Sequence, residues 1–402
     1  MKHKQCITSL VGRARRARRW VSNADGAARR PYLVLLLAVL AVLPAWAADT
    51  NSWPMWRGGP TLDGVAVGEL PAKLELVWSR KSGGAISGAA AIHDGRVYVA
   101  SGGGNLAALE AATGNVIWTN GLKGGVEGAP LVLDGVLYLG GDDGALVAVA
   151  ADTGQEKWRY ATGDKILGSP NWWRSADGKQ TLICVGSYDH KLHAVVAATG
   201  TNAWTFETGN YINGAPAVAD GKVVFSGCDA TLHVLEAATG KTLLGGDAGA
   251  YVAASPAVRD GKAYFGNYEK ELRAVELEKG AKLWSFTDAE GAFFSSPAVT
   301  EKVVIVGARD SKVRGFDRAT GKKLWEFVTK GDVDSSPVVA GNRVFFGSQD
   351  GRVYGLDIVT GKEVWKYEIG EAVNSSPAIV NGLLIIGASD GTVYAFGSKK
   401  KK

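Results

Sequence analysis

Between residues 74 and 397 apolar and polar positions alternate with a period of two in short runs, and helical spacing persists nowhere for long. Arg352-Val353-Tyr354-Gly355-Leu356-Asp357 is typical, with Asp-Gly on one side and Thr-Gly on the other. Such runs predict short strands joined by tight turns, because Asp-Gly and Thr-Gly supply the positive φ a hairpin needs.

The runs recur in register. Trp78, Trp118, Trp158, Trp204, Leu244, Trp284, Trp325 and Trp365 each follow the last by about forty residues, a repeat length that marks stacked units. About twelve residues after most of these marks comes a Ser-Pro or Ala-Pro step, at Pro130, Pro170, Pro216, Pro256, Pro297, Pro337 and Pro377; Ala90 stands where the first proline would be, and Pro297 is one residue late. Thr-Gly pairs complete the unit, with Lys279-Gly280 as a variant. Four strands in a period near forty predict an all-β, eight-bladed propeller, since one blade cannot bury both faces alone. The last copy, Ser376 to Phe396, has three strands, and Leu74 to Arg80 supplies a lone strand bearing Trp78, so the N-terminal strand is expected to complete the eighth blade and close the ring.

The seven tryptophans are expected to dock blade on blade, filling the wedge with about 150–250 Å² of apolar surface each. Leu244, followed by Gly245-Gly246, predicts a weaker seam.

The expected divisions are a signal peptide over 1–47, a lead-in over 48–72, the propeller over 73–397 and a lysine tail over 398–402. Residues 1–30 are rich in Arg and Lys, Pro31 to Leu43 is a short apolar core, and Ala45-Trp46-Ala47 offers small residues for cleavage. Export to the periplasm or beyond is the expectation. An uncleaved anchor is disfavoured by a core shorter than the ~20 residues of a span. Position 48 is Ala, so the lipid-modified cysteine of a lipoprotein is not expected. The leader holds nine of the 45 Lys and Arg and one of the 40 Asp and Glu, so the remainder carries 36 against 39. The basic balance of the whole chain therefore implies no nucleic-acid partner. In the lead-in, Trp53-Pro54-Met55-Trp56-Arg57-Gly58-Gly59-Pro60 is expected to bend onto the ring, its tryptophans plugging one end.

Candidate chemistry is sparse. Cys184 falls in mid-strand and Cys228 at a strand end, matched with Ser187; this offset favours free thiols over a disulfide. His190 and His193, three apart on a strand, would point to opposite faces and make a poor metal pair. Asp143, Asp189, Asp229, Glu269, Asp310, Asp350 and Asp390 recur once per unit, as turn formers do and a single catalytic acid does not. Residues that differ between units are better candidates. Just before the Ser-Pro step these are Glu127, Leu167, Tyr211, Asn213, Tyr251, Phe293, Phe294, Asp334 and Asn374, which are expected to ring the mouth of the channel as a ligand- or partner-binding face.

Ser-Pro-Ala-Val, Val-Tyr-Gly-Leu-Asp-type strands and Thr-Gly-Lys-x-x-Trp, repeated in order from Leu74 to Phe396, resemble the pyrroloquinoline-quinone-type (PQQ-like) propeller repeat. The resemblance implies fold strongly and leaves function open. It permits an exported, non-catalytic scaffold that binds protein partners, similar to the propeller component of the outer-membrane β-barrel assembly machinery, with no cofactor and a monomeric mature chain. It also permits a quinoprotein dehydrogenase holding PQQ and Ca2+ and acting on alcohols or sugars. The scaffold is the reading favoured here.

Overall fold

The computed structural model describes residues 49–399; the expected leader and the final three lysines lie outside the described residues. Blade 1 is formed by Ala91–His93, Arg96–Ala100, Asn105–Glu110 and Val116–Gly121, each antiparallel to the next. The same order recurs in blades 2 (131–161), 3 (171–207), 4 (217–247), 5 (257–286), 6 (298–328) and 7 (338–368). Blade 8 combines Ala378–Val380, Leu383–Gly387 and Thr392–Gly397 with the distant strand Glu75–Lys81 on its outer edge. Innermost strands of neighbouring blades lie side by side, including that of blade 8 against that of blade 1. The eight-bladed β-propeller expected from the repeat is the observed fold. A single 3-10 turn, Trp56–Gly58, is the one helical element among the described residues.

Three devices hold the blades together. In the first, the Trp of each outer strand crosses to the next blade and lies flat on its Thr-Gly turn. A Cβ on Gly114, Gly154, Gly200, Gly240, Gly321 or Gly361 would come within 2.6–2.7 Å of the ring of Trp78, Trp118, Trp158, Trp204, Trp284 or Trp325. Glycine is therefore needed there both for positive φ and for the indole's approach. Each indole N–H donates to a carbonyl of that turn, as from Trp78 to Ala111 at 2.9 Å and Trp325 to Ile358 at 2.9 Å, while Trp365 donates to Leu74 at 3.1 Å. At the blade 4–5 seam Leu244 faces Gly280 and offers no donor.

The second device explains the Ser-Pro step. The backbone N–H of Ala129, Ala215, Ser255, Ser296 and Ser336 donates, at 2.8–2.9 Å, to the Ser169, Ser255, Ser296, Ser336 and Ser376 hydroxyls one blade on. These buried groups on the channel wall would otherwise be left without partners.

The third device is the lead-in, which crosses one end of the channel and bonds to all eight blades. Trp53 bridges Ile92; the carbonyls of Pro54, Pro60, Thr61, Asp63 and Gly64 accept from Val132, Val218, Val258, Val299 and Val339; Pro60 also accepts from the Asn171 side chain, and Thr50 from Asn381. Arg57 pins this strap from within. Its guanidinium is fully buried and donates to Pro337 O at 2.5 Å and Pro297 O at 2.8 Å. Burial pushes its pKa down to about 9, against the pull of Asp63. Trp53 is buried and Trp56 lines the inner end of the channel, which is thereby closed on this side.

The recurring turn acids bond to the third strand as well as to the turn. Asp189 and Asp229 meet His193 and His233 at 3.0 and 2.7 Å, Arg314 meets Asp310 at 2.5 Å, and the Tyr354 hydroxyl donates to Asp350 at 2.7 Å. Burial acts to raise these carboxyls, yet hydrogen bonds outweigh it, from the Gly163 N–H and then His193 to Asp189, and from His233, Arg314 and Lys81 to Asp229, Asp310 and Asp390, and hold all four below the ordinary aspartate value of 3.8. A folded-state pKa below the unfolded one gives stability that is present above pH 3.8 and lost as pH falls through the folded value. The thermal midpoint is thus expected to drop steeply below about pH 4. Asp310→Asn should start lower at neutral pH and lose less over the same range; an equally steep acid limb would contradict the assignment.

Candidate functional site

The opposite end of the channel is open. Two connections per blade meet there: the loop leading into the innermost strand and the turn between the second and third strands. One backbone bond of 2.8–3.0 Å ties them in every blade, from Gly102, Asp142, Tyr188, Cys228, Tyr268, Arg309, Gln349 and Ser389 to Ala85, Gly125, Lys165, Tyr211, Tyr251, Ala292, Asp332 and Ala372. The eightfold repeat fixes the frame on which unlike side chains are displayed.

The candidates from the sequence separate into three positions on this frame. Glu127, Leu167, Asn213, Phe294, Asp334 and Asn374 line the channel, with Ser87 and Ala253 from the remaining blades. Tyr211 and Tyr251 stand two residues before the channel position, on the rim, 40% and 53% exposed. Phe293 does neither, and the expectation for it is corrected: it is fully buried, packed on Gly266 where Ile212 packs on Gly186 and Val333 on Gly307. The turn residues beside the repeated acids were missed altogether. Cys228 belongs to that set, level with Tyr188 and not with Ser187.

With these residues in place the mouth has two unlike halves. Across blades 3 to 6 it is aromatic. Tyr211 stacks on Tyr188 at 4.6 Å between centroids, His190 meets Tyr211 edge-on at 5.0 Å, and the Lys165 ammonium sits 4.4 Å above Tyr188. On the far side Tyr268 meets Phe294 at 4.9 Å, and Arg309 covers Phe294 at 3.4 Å while gripping both oxygens of Asp334 at 2.8 Å. Tyr251 lies between these two braced groups, and its side chain makes no hydrogen bond or ring contact among the described residues. Across blades 7, 8, 1 and 2 the same positions hold Asp332, Gln349, Ala372, Ser389, Ala85, Gly102, Gly125 and Asp142, which are small, polar or acidic.

The chemistry this supports is stacking, hydrogen bonding and charge pairing. Burial pushes the Cys228 thiol up, opposed by a hydrogen bond from Asn213 at 3.1 Å, and pushes Cys184 up to about 12, so neither is a poised thiolate. Both are free. Among the described residues no group of three or more His, Cys, Asp or Glu is placed to hold a metal ion, and no helix is long and apolar enough to cross a membrane.

Comparison with solved structures gives the same fold. BamB from Moraxella catarrhalis aligns with a TM-score of 0.67 at 22% identity, over 82% of this chain and 99% of that one. The quinohemoprotein alcohol dehydrogenase of Comamonas testosteroni aligns at 0.75 with 15% identity, over 89% and 82%. A europium-containing methanol dehydrogenase aligns at 0.71 with 13% identity, over 87% and 98%. At these identities the likeness is one of fold. No curated protein matched the sequence. The sequence profile described as outer membrane protein assembly factor BamB matches residues 71–187 and 309–401, just over half of the chain, and the protein therefore belongs to that PQQ-like propeller family.

Proposed function

We propose that this protein is a non-catalytic binding propeller of the cell envelope, working in outer-membrane protein assembly as a scaffold that receives a partner at the open mouth. The observation that carries this reading is the mouth itself, a rigid frame repeated in eight blades with an aromatic wall on one half and a closed channel beneath. Rigid, partly exposed aromatics are the groups that dominate protein interfaces. Export, cleavage after Ala47 and a monomeric mature chain belong to the same proposal.

The lining of the channel also supports the scaffold reading over the dehydrogenase alternative. The cavity is about 160 Å³, below the roughly 300–1,000 Å³ usual for an organic ligand or cofactor. Phe294, Leu167 and Trp56 take up its walls and floor. Of the two wall carboxylates, Asp334 is already held by Arg309, which leaves Glu127 alone.

Titration of the chain from Ala48 onward with PQQ and Ca2+, followed by tryptophan fluorescence and thermal midpoint, is expected to show no saturable change. Saturable binding with a raised midpoint would return the dehydrogenase reading to the front.

A further inference from the structure

The charges that face the mouth are segregated, and that segregation names the partner's chemistry. On the half contributed by blades 7, 8, 1 and 2, the rim, channel and turn positions carry Asp332, Asp334, Glu127 and Asp142 and no basic residue, while Lys123 and Lys330 stand exposed two residues before the rim positions of blades 2 and 7. The aromatic half carries Lys165 and Arg309 and no acid at those positions, and both cations are already engaged, one over Tyr188 and the other over Phe294 and on Asp334. Glu127 is exposed and makes no hydrogen bond or ion pair among the described residues. The acidic half is also low, because Gly102, Gly103, Gly124 and Gly125 lie beside it and present backbone in place of side chains.

Opposite this acidic sector stands the exposed Tyr251. Its neighbours Tyr211 and Tyr268 are each 40% exposed and are braced by Tyr188 and Phe294. A ring seated between them would meet side chains already held in place, so little rotamer entropy is lost on binding.

Resting on the scaffold reading above, we infer that the mouth holds an extended polypeptide segment carrying an aromatic side chain next to a lysine or arginine, the ring against Tyr251 and the cation toward Glu127 and Asp142. An acidic segment is disfavoured by Glu127, which has no counter-charge of its own, and by Asp142, whose partner is the neutral Gly125 N–H; a purely apolar one would leave both facing it without a counter-charge. The low glycine sector gives the chain a way in and out, which an extended segment needs and a globular knob does not.

The test is fluorescence anisotropy with three labelled, end-blocked nonapeptides of Gly and Ser that differ at two central positions: Trp-Lys, Trp-Glu and Ala-Lys. Trp-Lys is expected to bind at least tenfold more tightly than either other peptide. Tyr251→Ala and Glu127→Gln should each remove that advantage while leaving the thermal midpoint unchanged, since both side chains are exposed; a shifted midpoint would place them in the fold and overturn the inference. Raised salt should weaken Trp-Lys binding. Equal binding of all three peptides, or none, also overturns the inference. The scaffold reading fails separately, by PQQ binding or by absence of a partner at the mouth, and survives if a partner of other chemistry docks there.

Discussion

Trp325→Ala is expected to lower stability by about 3–5 kcal/mol, the cost of emptying a large aromatic site that cannot collapse. The indole is 8% exposed, lies on Gly361 and donates to Ile358, so truncation removes apolar burial and leaves that carbonyl without its partner. The surroundings are stiff. Gly361 has φ +68, and its turn cannot easily move inward to fill the gap. The natural comparison is already in the chain. Leu244→Ala at the one seam without a tryptophan should cost about 2–3 kcal/mol, and Leu244→Trp should stabilise by about 1 kcal/mol, since Gly280 offers the same bare turn with φ +71. Denaturant unfolding of the three variants gives the ordering; Leu244→Ala costing as much as Trp325→Ala would show that blade docking does not depend on the indole.

Arg57→Ala is the second large effect, expected at about 3 kcal/mol. Two charge-assisted hydrogen bonds, each contributing about 1.5–3 kcal/mol, are lost, and relief of the buried charge offsets part of that. The carbonyls of Pro297 and Pro337 would be left in a dry site. Arg57→Met keeps the volume and removes the donor, so it should recover little. Since the strap bonds to every blade, loosening it should also raise hydrogen exchange at Val132, Val218, Val258, Val299 and Val339, whose N–H groups it holds. Protection unchanged at those five amides would contradict the account of the strap.

The difference in legibility between scaffold and site has a physical cause. Repeated residues announce themselves: Trp every forty residues, Thr-Gly before it and Ser-Pro after it could be aligned because packing demands the same side chain at the same point of each blade. The hydroxyl belt was not visible as such, although its serines were, because each bond joins residues one full repeat apart. The strap was legible only as a bend, since contacts between Gly64 and Val339 have no local signature. At the mouth, residues just before Ser-Pro were found by looking for unlikeness, and most of them do line the channel. Phe293 misled because the one-residue displacement of Pro297 put two phenylalanines where other blades have one aliphatic and one channel residue. Tyr188, Cys228, Tyr268 and Arg309 are hidden by their neighbours, because each precedes the repeated acid of the turn and shares its sequence punctuation.

What unites the observations is a ring with one closed end and one displayed end. The lead-in spends its hydrogen bonds on closing the first, and the second keeps its unlike residues free. The most direct measurement is photo-cross-linking in the intact envelope with a benzophenone amino acid placed at Tyr251 on the open mouth and, separately, at Val67 in the strap, which is 58% exposed on the closed end. A discrete adduct from position 251 that disappears when Glu127→Gln is added, with none from position 67, is the predicted result. Adducts from position 67 alone would place the partner on the closed end and contradict the account.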